Sequence, residues 1–173
     1  MMERITVHYP HMNRSVTLLY STSTGHTEFV IDAVIGALGK EMKDLRIIKQ
    51  RAEVSKPEDL KKADLLLLAC GSWNTGNIEG QLQPYMEDLL HVRSSDIDLK
   101  GKPSAAIGLG DDRYHFTARA AEKLTDYLTS HGATLLLPTL KIINEPFDQT
   151  KKIELWTKEF IAAIDKLPTK SRE

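Results

Sequence analysis

The run Leu65-Leu66-Leu67-Leu68-Ala69-Cys70 is the longest near-uniform apolar stretch in the chain. Its length suits one strand covered on both faces and falls far short of the ~20 residues that span a bilayer. On either side the pattern alternates between two periodicities. Ser15-Val16-Thr17-Leu18-Leu19-Tyr20 reads as a strand, and 27–42 carries Ile31, Ile35, Leu38 and Met42 at helical spacing. Residues 45–48 read as a second, more exposed strand, 57–62 as a short helix and 63–70 as the central buried strand. A helix over 81–91, entered near Pro84, leads to a strand over 103–109. The next helix, 118–131, turns Ala120, Leu124, Tyr127 and Leu128 inward and is ended by Gly132. Residues 133–143 give a last strand, and the final helix, 152–167, lines up Ile153, Trp156, Phe160 and Ile164 on one stripe.

Five strands alternating with helices predict an α/β fold, a doubly wound parallel sheet with helices on both faces. In such sheets ligands bind beyond the carboxyl ends of the strands at the switch point, so function is expected in the loops after strands one, three and four. The pattern predicts one domain over 15–167, an N-terminal extension over 1–14 that could add an edge strand, and a polar tail over 168–173. A length of 173 residues fits one such domain with a sizeable core.

Composition narrows the class only a little. With 41% apolar and 27% charged residues the chain is an ordinary globular one, and its single cysteine, Cys70, forms no internal bridge and needs no oxidising compartment. The N-terminus lacks the apolar core of a secretory signal, so the expected location is the cytoplasm. A balance of 23 Lys and Arg against 24 Asp and Glu gives no indication of nucleic acid or a membrane surface as partner. Locally, however, 71–98 carries Glu79, Glu87, Asp88, Asp96 and Asp98 against Arg93 alone, which predicts an acidic edge for a basic partner.

The candidate chemistry lies in three loops. Ser21, Thr22, Ser23, Thr24, Gly25, His26 and Thr27 put five hydroxyls and a glycine at the very start of a helix. Free N–H groups and the positive end of the helix dipole favour an anion there, and the absence of a lysine points to a monophosphate rather than a nucleoside triphosphate. The plainer reading, hydroxyls that only cap the helix, is outweighed by their number. After strand three, Ser72, Trp73, Asn74, Thr75 and Gly76 form a polar loop around a tryptophan with no helical core position to fill, a ring suited to covering something flat. After strand four, Leu109, Gly110, Asp111 and Tyr114 bring a second aromatic to the same edge. Asp111, Asp112 and His115 read as solvated loop residues rather than metal ligands, and no catalytic residue stands out. Together the loops predict one ligand with a planar ring and a phosphate tail.

With these residues the chain resembles the flavodoxins, small FMN-containing electron carriers. The resemblance runs from about Ser15 to Leu167 and rests on Leu18-Leu19-Tyr20-Ser21-Thr22-Ser23-Thr24-Gly25-His26-Thr27, on Trp73-Asn74-Thr75-Gly76 and on Gly108-Leu109-Gly110-Asp111 followed by Tyr114. It implies noncovalent FMN, strand order 2-1-3-4-5, a phosphate on the first loop, and Trp73 and Tyr114 against the two faces of the flavin. The continuous last strand is similar to that of the short-chain subgroup. It further implies a monomer that shuttles electrons at low potential between a flavodoxin reductase and acceptor enzymes docking at the flavin edge. The chain departs from the family at Ile31, where a small residue is usual, and in its near-neutral charge. A flavin-dependent quinone reductase of the same fold and a flavin-free interaction module are the alternatives; a receiver domain is set aside because Ala69, Cys70 and Gly71 stand where its phosphoacceptor aspartate would end strand three.

Overall fold

A computed structural model describes residues 13–73, 81–113 and 117–168. Its centre is β3, Leu65–Trp73, the uniformly apolar strand. Parallel pairing joins β3 to β1, Ser15–Tyr20, on one side and to β5, Pro103–Gly110, on the other, so that Leu67 lies between Leu18 and Ala105. The edge strand β2, Arg46–Arg51, pairs with β1. β4, Gln81–Leu82, is a short antiparallel return against Ser72 and Trp73. The far edge holds β6, Thr134–Leu135, and β7, Leu140–Ile143, both paired with β5.

The order β2-β1-β3-β5 followed by β6 and β7 is the expected doubly wound arrangement with one correction. The last strand is not continuous over 133–143. Pro138 has no N–H to give the ladder, and the pairing lapses at 136–139 before resuming at Leu140. A second correction concerns 81–91: the helix begins only at Pro84, because Gln81 and Leu82 pair with β3. α3, Pro84–Glu87, then widens into a π-helical stretch, Asp88–Arg93.

Alternation along β3 divides the core. Leu65, Leu67 and Ala69 face α1, His26–Glu41, and α5, Thr150–Asp165, in a cluster with Val30, Ile31, Leu38, Trp156 and Phe160. Leu66, Leu68 and Cys70 face Leu60 of α2, Asp59–Lys62, together with Met86, Leu89 and the inward stripe Ala120, Leu124, Tyr127 and Leu128 of α4, Arg119–Ser130. Helices therefore cover both faces of the sheet, as its uniform apolarity requires. The buried stripe of α1 is Thr27, Val30, Ile31, Val34 and Leu38, whereas Ile35 and Met42, expected inward, are only partly covered. Ile31 itself is fully buried.

The exposed edge at β2 is charged. Lys49 bonds Glu28 at 2.7 Å and Asp32 at 2.9 Å, Arg51 bonds Glu28 at 3.1 Å, and the buried Tyr20 donates its hydroxyl to Glu28 at 3.0 Å. These partners hold the Glu28 carboxyl below its usual range, and the charges deter pairing of the edge with another sheet. The N-terminal extension, save for Asn13 and Arg14, and residues 169–173 lie outside the described residues. Among the described residues no helix is long and apolar enough to cross a membrane.

Candidate functional site

A cavity of about 520 Å³ opens beyond the carboxyl ends of β1, β3 and β5, at the switch point where β1 and β3 lead in opposite directions across the sheet. All three loops singled out in the sequence contribute to it.

Thr22, Ser23, Thr24, His26 and Thr27 line one end. Gly25 sits at φ 89°, the left-handed backbone that lets the chain turn from β1 into α1, and its N–H donates to Thr22 Oγ1 at 2.9 Å. No side chain caps α1, whose first helical hydrogen bond runs from the Phe29 N–H to the Gly25 carbonyl at 3.0 Å. The opening turn therefore presents N–H groups, with hydroxyls beside them, to whatever occupies this end of the cavity. Ser21 does not belong to that set. It is fully buried, and the Ser21 hydroxyl sits beside the Cys70 thiol, under the loop rather than on the cavity. Burial pushes the Cys70 thiol up to about 12, so it is inert at neutral pH.

Gly71, Ser72 and Trp73 form the second wall. Trp73 ends β3 with 38% of its surface exposed, a large flat ring at the cavity rather than in either core. Ser72 lines the cavity, but its hydroxyl is committed to the scaffold: it donates to the Leu109 carbonyl at 3.0 Å and accepts the Ala120 N–H at 2.9 Å. Asn74, Thr75 and Gly76 lie outside the described residues, as does Tyr114.

Leu109, Gly110 and Asp111 form the third wall. The small size of Gly110 serves packing: a Cβ there would fall 2.1 Å from the Ala118 nitrogen at the entry to α4. Asp111 accepts from the Arg113 backbone N–H at 2.9 Å and from its guanidinium, which closes the turn and holds the carboxyl down at about 2. A carboxyl held below its unfolded value near 3.9 contributes stability that is full above that value and disappears as pH falls toward 2. An NMR pH titration of the Asp111 carboxyl is expected to show this low midpoint in the wild type and a rise toward the ordinary range in Arg113→Ala, which loses the guanidinium but keeps the backbone N–H.

The cavity lining also includes Gln83, Arg113, Asn144 and Glu145, none of them a candidate in the sequence. Gln83 is 6% exposed; its N–H reaches the Gly71 carbonyl at 3.0 Å, its Oε1 caps α3 through the Tyr85 N–H, and its Nε2 faces Ser23 Oγ at 3.4 Å. An N-cap before Pro84 is the signal that marks it. Beside His26 the exposed Phe147 packs edge-on, with ring centroids 5.4 Å apart. Within the acidic stretch, Glu87 lies 2.6 Å from His91 Nδ1 and Asp88 pairs with Arg93 at 2.7 Å.

An open parallel sheet whose first βα turn offers an uncapped helix start, with a half-exposed tryptophan at the neighbouring strand end, defines a doubly wound α/β protein with its candidate site at the switch point. The chain belongs to the flavodoxin family: the family model described as Flavodoxin matches residues 18–156. Flavodoxin of Nitratidesulfovibrio vulgaris is 26% identical over 155 residues, covering 87% of this chain and 99% of its own length. Probable flavodoxin 2 of Bacillus subtilis is 24% identical over 131 residues, 76% of this chain and 83% of that protein. The crystal structure of oxidised flavodoxin 2 from Bacillus cereus matches with TM-score 0.77 at 27% identity, over 86% of this chain and 98% of that one. The chain is an electron carrier of this FMN-binding family; the quinone reductase and the flavin-free module are not favoured.

Proposed function

We propose that the cavity holds FMN noncovalently, with its phosphate at the start of α1 and its ring beside Trp73, and that the protein carries single electrons at low potential between redox partners. The observation that supports this most directly is the uncapped first turn of α1 among hydroxyls, at the same cavity as an exposed tryptophan. Bound FMN supplies the redox chemistry. The chain supplies position, exclusion of water and electrostatics. Backbone N–H groups of 22–27 and the hydroxyls of Thr22, Ser23, Thr24 and Thr27 would hold the phosphate, Gly25 would shape the turn and His26 would close its outer side. Trp73, together with Asn74, Thr75 and Gly76 of the same loop, would cover one face of the ring, and Leu109, Gly110, Asp111 and Tyr114 the other.

The described lining carries the carboxylates of Asp111, Asp112 and Glu145 against the guanidinium of Arg113. That excess of negative charge makes an added electron costly and lowers the potential. We place the protein in the cytoplasm as a monomer, with a flavodoxin reductase and acceptor enzymes docking where Trp73 and Phe147 are exposed. Thr24→Ala and Thr27→Ala are each expected to weaken FMN by about 1–3 kcal/mol, the loss of a hydrogen bond to a charged group. Titration of apoprotein with FMN, followed by quenching of flavin fluorescence, measures it; unchanged affinity in both variants excludes this loop as the phosphate site.

A further inference from the structure

We propose that Asn144 is a positioning residue for the third cavity loop, clasping its turn to the end of β7 so that the ring side of the cavity is set before the cofactor arrives; the inference rests on the flavin reading above. Asn144 stands at φ 67°, a backbone region in which asparagine is among the least strained residues that carry a Cβ. From there its N–H donates to the Gly110 carbonyl at 2.7 Å, extending by one step the ladder in which Gly110 faces Ile143. Its carboxamide then meets Asp112 with both ends. Oδ1 accepts the Asp112 N–H at 3.1 Å, and Nδ2 donates to Asp112 Oδ2 at 3.0 Å.

That combination is specific to asparagine. Glycine takes the backbone but brings no carboxamide; aspartate takes the backbone but sets a second carboxylate against Asp112; alanine meets neither requirement. On the other side of the same turn, Asp111 binds the backbone N–H and guanidinium of Arg113. The turn is thus tied internally through Asp111 and to the sheet through Asn144. Both Asp112 and Asn144 line the cavity, and the chain leaving this turn runs to Tyr114. A loop tied in advance loses less freedom when a ligand binds, and it keeps water from the ring.

The test titrates the full-length apoprotein with FMN and with riboflavin and then measures the one-electron potentials of the FMN-loaded protein. In Asn144→Gly, which keeps the backbone and removes the clasp, both affinities are expected to fall by the same factor, about three- to tenfold for the lost pair of exposed hydrogen bonds. The potentials shift, and the unfolding midpoint of the apoprotein stays close to wild type. Asp112→Ala removes the carboxylate bond but keeps the Asp112 N–H on Asn144 Oδ1, so both affinities fall together by a smaller factor, and the double variant loses no more than Asn144→Gly. Should Asn144→Gly fail to fold, the FMN and riboflavin affinities of Asp112→Ala carry the test, since its potentials also register the lost carboxylate. Wild-type affinities in the variants overturn the proposal, as do unchanged potentials. A loss confined to FMN also overturns it, by moving the action of Asn144 to the phosphate. A wild-type protein that binds neither ligand overturns the flavin reading itself.

Discussion

Gly108→Ala and Gly110→Ala are each expected to lower the unfolding free energy by about 3 kcal/mol, the upper end of what overpacking costs. A Cβ on Gly108 would stand 2.2 Å from the nitrogen and 2.4 Å from the Cα of Ala121; on Gly110 it would stand 2.1 Å from the Ala118 nitrogen. These obstacles are backbone atoms of the first turn of α4 and the residue before it, so no side-chain rotation relieves them. The helix start must move away from β5, and the tie from the Ala120 N–H to Ser72 Oγ lies directly between the two clashes. Gly36→Ala provides the contrast. It lies inside α1 with nothing within 4 Å of the added carbon, and alanine there stabilises by roughly 0.5–1 kcal/mol through helix propensity. Urea denaturation reads both effects as opposite movements of the midpoint at an unchanged slope.

Riboflavin is expected to bind at least about a hundredfold more weakly than FMN. The two differ in the phosphate, and the cavity offers that group an uncapped helix start and the hydroxyls of Thr22, Ser23, Thr24 and Thr27. Losing two hydrogen bonds to a charged group, at about 1.5–3 kcal/mol each, already exceeds that factor. The remaining affinity for riboflavin belongs to the ring and its aromatic cover. In Thr24→Ala and Thr27→Ala the ratio of the two affinities should narrow, because only FMN uses those hydroxyls. Equal binding of FMN and riboflavin by the wild type is the outcome incompatible with a phosphate at 22–27.

The parts of this molecule that depend on local periodicity were legible in the sequence. Leu65 to Cys70 are uniformly apolar because helices lie on both faces of β3, and the stripe from Ile153 to Ile164 is the buried face of α5. The glycine of the anion loop was legible as well, since it stands between a strand and a hydroxyl-rich helix start, whereas its φ of 89° is set by the turn into α1. Roles set by distant neighbours were not. Gly110 sits at the cavity, yet what forbids a side chain there is α4, brought against β5 by the fold. Ser21 shares the composition of the anion loop but not its position, because alternation along the end of β1 turns it under the loop. Asn144 and Gln83 act through bonds to residues 32 and 60 positions away, Asp112 and Ser23, which no local pattern encodes. His91 and Arg93, four and five residues along the same helical stretch, return to Glu87 and Asp88, contacts that a charge count alone does not reveal. Pro138 was in plain view, and its missing N–H was sufficient reason to divide the last strand.

The most direct test of the central claim is a reductive titration of the FMN-loaded protein under anaerobic conditions, with the flavin absorbance recorded against potential. Stoichiometric uptake of FMN is expected, with reduction in two separate one-electron steps, the second at low potential because the described cavity lining carries more carboxylates than cations. Reduction in a single two-electron step, or a protein that takes up no FMN, would contradict it.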